Sequence, residues 1–115
     1  MADVKALLFK DFEQRRQLRH FDIEIAGEKC RIFYAPVMSQ DQQSAIFKHI
    51  DGETGRIDPE AFLTSAIVRC LNEDGTRIFS ESDRKELRTK VDATKWAEIA
   101  AKMGGLVEEV DPKKS

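Results

Sequence analysis

Apolar residues recur along this chain at two periods, and the period changes at Phe21. Before it, Val4, Leu7, Leu8 and Phe12 stand at i, i+3, i+4 and i+8, the stripe of an amphipathic helix that Asp3 caps. The charged stretch QRRQLRH follows. From Phe21 the period is two. A two-residue type II′ turn at Gly27-Glu28 sets Ile25 opposite Cys30, Ile23 opposite Ile32 and Phe21 opposite Tyr34, with Glu24 facing Arg31 on the other side. A lone hairpin is marginal in water, so its apolar face packs on helices or on another subunit.

Helical period returns after Pro36. Ser39 and Gln42 form a capping box ahead of Ile46, Phe47 and Ile50, and that helix stops at Asp51-Gly52. Asp58-Pro59-Glu60 opens the next helix with a cap, a proline at the first helical position and an acid in the first turn. Phe62, Leu63, Ala66, Ile67, Cys70 and Leu71 give this central helix a wide buried face, with Thr64, Ser65 and Arg69 opposite. A turn over Asn72 to Thr76 leads to Ile78 and Phe79, which re-enter the core. Ser80 and Asp83 cap a helix bearing Leu87 and Val91. Asp92 caps the last helix, where Trp96, Ile99, Ala100 and Met103 share a face and Gly104-Gly105 ends it. The fold class is α+β, mainly α: an N-terminal helix and an antiparallel hairpin, then about four helices. Residues 1–106 form a single domain, and Leu106 onward, with 107–115 as the tail proper, is expected to be loose.

Composition narrows the function. The chain has 115 residues, 41% hydrophobic and 35% charged, enough for one core under a polar surface. The net charge of −2, with signs interspersed, gives no basic stripe for nucleic acid; three arginines and a histidine between Gln14 and His20 read as a solvated helix end. Apolar runs are a few residues long, far short of the ~20 that span a membrane. MADVKALLFKDF, with acids at Asp3 and Asp11, does not read as a signal peptide. Cys30 and Cys70 are expected to be free thiols in a reducing cytoplasm.

Two stretches imitate a calcium loop, which needs oxygen ligands at positions 1, 3 and 5, glycine at 6 and glutamate at 12. Aligning Gly55 to position 6 puts Ile50 and Ala61 at positions 1 and 12. Aligning Gly75 puts Asn72, Asp74 and Glu81 at 3, 5 and 12 but Cys70 at 1, a poor calcium ligand. His20 and His49 lie in different elements without partners at zinc-ligand spacing. No nucleophile elbow, P-loop or dinucleotide fingerprint occurs. The expectation is no catalytic residue, no metal and no cofactor.

The order of elements resembles one family. Asp3-Val4-Lys5-Ala6-Leu7-Leu8 matches an opening helix of the type D-x-K-A-L-L; a hairpin with glycine at its turn follows over Phe21 to Tyr34, and a Ser-opened helix begins at Ser39. After the central helix, Asn72-Glu73-Asp74-Gly75-Thr76-Arg77-Ile78-Phe79-Ser80-Glu81-Ser82-Asp83 matches a D-E-D-G-x-x-L-F-[ST]-x-x-D segment, and Gly104-Gly105-Leu106 a closing Asn-Gly-Leu. The departures are Asn72 for an acid, Ile78 for Leu and Gly104 for Asn, which leave capping and packing roles intact. Over roughly residues 2 to 106 the chain resembles the tail assembly chaperones of lambda-like long-tailed bacteriophages (siphoviruses). The resemblance implies a non-enzymatic protein of the host bacterial cytoplasm, absent from the mature virion. It implies binding to the tape measure protein, which it keeps soluble, and recruitment of the tail tube protein through a frameshift-extended form. It also implies self-association into a ring or spiral, with neither nucleic acid nor membrane as partner. Pro112-Lys113-Lys114 is compatible with an adenine-rich slippery sequence; a gene without a slippery heptamer and an overlapping frame would remove that expectation.

A holding chaperone needs exposed apolar surface. Candidates for protein interaction are Leu7, Phe9 and Phe12 on the first helix and Phe21 and Tyr34 on the hairpin, whose edges also offer pairing. Leu8 and Phe12 are expected to dock on the hairpin and complete the core, and Phe9, off the main stripe, to face a partner. Trp96 reads as core in preference to an interface anchor. The alternative function is a small phage or bacterial regulatory adaptor that binds a host protein, and a third is an enzyme with an unrecognised acid or thiol site.

Overall fold

In the computed structural model, which describes residues 3–106, the order is α1 (Val4–Arg15), β1 (Arg19–Ile25), β2 (Glu28–Tyr34), α2 (Gln40–Phe47), α3 (Glu60–Arg69), a 3-10 turn (Glu81–Asp83), α4 (Arg84–Lys90) and α5 (Ala93–Lys102). The fold is α+β and mainly α, a two-stranded antiparallel hairpin with five helices.

The hairpin forms in a register two residues away from the one the sequence suggests. Ala26 and Gly27 are its central residues, with φ 53° and 80°, the pattern of a type I′ turn. Ile25 faces Glu28, Ile23 faces Cys30 and Phe21 faces Ile32. A shift of two leaves every side chain on its expected face. What changes is the polar side, where Asp22 now faces Arg31 and Glu24 faces Lys29. The Arg31 guanidinium lies 3.1 Å from Asp22 and the Lys29 ammonium 3.9 Å from it. The expected register makes one cross-strand charge pair and this one makes two. Together with a turn whose twist suits the strands, they offset the roughly 1 kcal/mol of holding alanine at positive φ.

Helix α3 is the centre. Its sequence suggests a polar side, yet Thr64, Ser65 and Arg69 are buried along with Ala61, Leu63, Ala66, Ile67 and Val68. Other elements enclose it on three sides. On one side Phe21, Ile23 and Ile32 of the hairpin and Trp96, Ile99 and Met103 of the α5 segment close on Leu63, Ala66, Ile67 and Cys70. On another, Ile46 of α2 joins Ala61, Val68, Ala100 and Leu106. Leu106 is therefore core, which corrects its assignment to a loose tail; residues 107–115 lie outside the described residues. On the third side α4 covers Thr64, whose hydroxyl takes a 3.0 Å hydrogen bond from Arg84.

Local rules set the ends. Ser39 and Gln42 make the expected capping box, and the Gln42 amide also donates to the Val68 carbonyl, tying α2 to α3. Asp58 accepts from the Glu60 amide at 2.9 Å, Ser80 and Asp83 cap reciprocally, and Asp92 accepts from Thr94. Beyond α3, Leu71 exchanges backbone hydrogen bonds of 3.0 and 2.7 Å with Phe33, so the hairpin is stitched to the central helix. The turn to Thr76 then returns Ile78 and Phe79 to the core, where Phe79 meets Trp96 edge-on at 5.4 Å.

Helix α1 does not share in this packing. The radius of gyration is 15.6 Å and the longest extent 54 Å, against a radius of about 13 Å for a compact chain of this length.

Candidate partner-binding surface

Asp3 caps α1 by accepting from the Ala6 amide at 3.3 Å, and the helix runs twelve residues to Arg15. None of them is buried. Val4 is 68% exposed, Leu7 50%, Leu8 62% and Phe9 63%. The expectation that Leu8 docks on the hairpin is thus corrected: Phe21, Ile23 and Ile32 of the hairpin's apolar face pack on α3 and α5 instead. Phe12 is half-buried at the inner end of α1, with the Arg16 guanidinium 5.2 Å from its ring centre. The stabilising contacts along α1 are local, including exposed ion pairs from Arg15 to Asp11 and Arg16 to Glu13. Such pairs contribute about 0.3–0.5 kcal/mol each. A twelve-residue helix held by so little is marginal in water. Its apolar side chains stand on the surface of the chain.

The other sequence candidates divide. Phe21 is 9% exposed and belongs to the core, which corrects its assignment to an interaction surface. Tyr34 is half-buried, its ring 6.0 Å from Phe21 on one side and 5.6 Å from the Arg69 guanidinium on the other. Leu7, Phe9 and Phe12 all lie on α1, Leu7 and Phe9 exposed and Phe12 half-buried, apart from Phe21 in the core.

Between the inner end of α1 and the body lie two clefts of about 310 and 420 Å³. Phe12, Val37 and Arg69 line both; Met38 and Met103 add apolar walls to one, Arg16 and Arg77 add charge to the other. Arg69 is the residue sequence reading missed. The signal was present: from Ala61 to Leu71 every polar residue except Arg69 is small, which suits a helix buried all round. A separate apolar spot lies at Phe47 and Ile57, both nearly half exposed, beside the loop closed by the Ile50–Ile57 bridge.

The groups that look reactive in sequence have structural partners. Asp74, the carboxylate of the false calcium loop, accepts from both the amide and the hydroxyl of Thr76, which holds its pKa below the usual range. Cys70, at the first position of that loop, is fully buried, and burial pushes its thiol up to about 12. Neutral thiol at physiological pH is a poor nucleophile. Glu60 accepts from Arg88 and Arg84 at 2.8–2.9 Å, which holds its carboxyl down at about 2, with Arg88 the larger cause. Among the described residues no group of three His, Cys, Asp or Glu side chains stands close enough together to hold a metal ion, and no helix is long and apolar enough to cross a membrane.

Comparison of the chain with protein-family models, with curated proteins and with solved structures finds no match.

Proposed function

We propose that the protein is a non-enzymatic tail assembly chaperone of a long-tailed phage, acting in the host bacterial cytoplasm. In this reading it binds a segment of the tape measure protein, keeps that long helical protein soluble and promotes assembly of the tail tube around it. The observation that carries the reading is α1: a capped helix whose Val4, Leu7, Leu8 and Phe9 are each at least half exposed, with none of its residues buried. Covering four such side chains with a partner contributes up to about 1.5–3 kcal/mol each before the costs of association. The stripe of Val4, Leu7 and Leu8 suits the apolar ridges of another helix such as a tape measure segment, and Phe9, off that stripe, offers a second contact. The ordered motif from Asp3 to Leu106 supplies the family side of the reading.

The experiment is co-expression with the tape measure gene encoded in the same genome. The expected result is a tape measure protein that moves from the insoluble to the soluble fraction and co-purifies with this chain. A tape measure protein that stays insoluble in the presence of abundant chaperone would refute the reading.

A further inference from the structure

We propose that Arg69 forms the floor of a carboxylate-binding subsite, which takes an aspartate or glutamate side chain from a bound protein segment. This goes beyond the chaperone reading and does not depend on it. Arg69 is only 6% exposed. A guanidinium carries five N–H donors. In this one, Nη2 donates to the Ala35 carbonyl at 3.2 Å and Nη1 to the Gly105 carbonyl at 3.4 Å, while buried Nε has no partner. Both partners are neutral, the Tyr34 ring centre lies 5.6 Å away, and among the described residues no carboxylate forms an ion pair with the guanidinium, whose charge burial disfavours. A buried charge without a counter-ion costs several kcal/mol unless something supplies one. The side chain lines both clefts, so the missing anion has a way in.

The surroundings define the ligand. In a chain of net charge −2, the two clefts carry Arg15, Arg16, Arg69 and Arg77 against Asp11 and Asp41; Asp11 pairs with Arg15 and Arg16 with Glu13, which leaves Arg69 and Arg77 facing Asp41 and a net positive charge. That local reversal of sign selects an acid. Phe12, Val37 and Met38 beside it select an apolar neighbour to that acid. Because Phe12 and Arg16 belong to the α1 segment, a chain lying along the exposed ridge of α1 reaches the clefts at its end. An acidic residue one or two turns from apolar anchors is the matching pattern. The fork geometry favours a bidentate carboxylate over a point contact.

The test uses the full chain, labelled with nitrogen-15, and two capped peptides, Ac-Ala-Leu-Glu-Leu-Ala-amide and its Gln counterpart. Titration is followed at the Arg69 Nε–H resonance. The Glu peptide is expected to shift that resonance and to bind about tenfold more tightly than the Gln peptide, the size of one charge-assisted pair. In Arg69→Met, which keeps a buried apolar stem, the preference is expected to fall to about one, and Arg69→Lys is expected to recover only part of it. No shift at Nε–H, equal affinity for the two peptides, or a preference that survives Arg69→Met would overturn the proposal. So would an equal response to sodium acetate at matched concentration, which would make the site a general anion trap. The wild-type titration decides the matter even where a variant fails to fold.

Discussion

Individual residues in this protein act mainly through caps, turns and one ion network, and each has a measurable signature. Ala26 holds φ at 53°, a conformation alanine adopts at a cost. Ala26→Asn, which favours the type I′ turn with Gly27, is expected to stabilise the fold by about 0.5–1 kcal/mol in denaturant titration; a loss of stability would contradict the turn assignment. Glu60 titrates in a definite window. Its pKa falls from an ordinary 4.5 to about 2 on folding, so its contribution is present above the unfolded value and is lost as pH drops through the folded one. The melting temperature is expected to fall between pH 5 and pH 2, and Glu60→Gln is expected to flatten part of that fall. The size is on the order of 3 kcal/mol at most, and a pH profile unchanged by the substitution would show that Arg84 and Arg88 gain nothing from Glu60. The caps at Asp3, Ser39, Ser80 and Asp92 were legible from residue type and spacing alone, because a cap is a contact between neighbours in sequence. The hairpin register was not: two registers keep the same apolar face, and only the sum of cross-strand charges and turn twist separates them.

At the scale of elements, α1 and α3 form a contrast. Both carry apolar residues at helical spacing, yet one is buried all round and the other nowhere. Periodicity identifies a face and says nothing of what covers it. That is why the pattern suggested docking of Leu8 on the hairpin, while α3 and α5 occupy that place. It is also why Arg69, read as solvent-facing, proves to be enclosed by the ends of β2 and α5. Substitutions sort accordingly. Ile67→Ala is expected to cost about 2–5 kcal/mol, as for fully buried aliphatic residues. Leu8→Ala is expected to change monomer stability by less than about 0.5 kcal/mol. A comparable loss from both would mean that α1 packs within its own chain after all.

For the molecule as a whole, the projecting helix predicts association. The radius of gyration of 15.6 Å exceeds the compact value of about 13 Å, and α1 has no buried residue. Light scattering across a concentration series is expected to show oligomers that grow with concentration. The double substitution Leu7→Glu and Leu8→Glu is expected to shift them toward monomer without lowering the melting temperature. A strict monomer for the unaltered chain at high concentration would leave the ridge for an unlike partner alone. The central claim is that α1 is where the tape measure protein binds. Amide hydrogen exchange on the co-purified complex tests it most directly. The prediction is that amides from Leu7 to Arg15, fast in the free protein, become protected by at least about tenfold in the complex, with the α3 core unchanged. Protection confined to other elements, with α1 exchanging as freely as before, would contradict it.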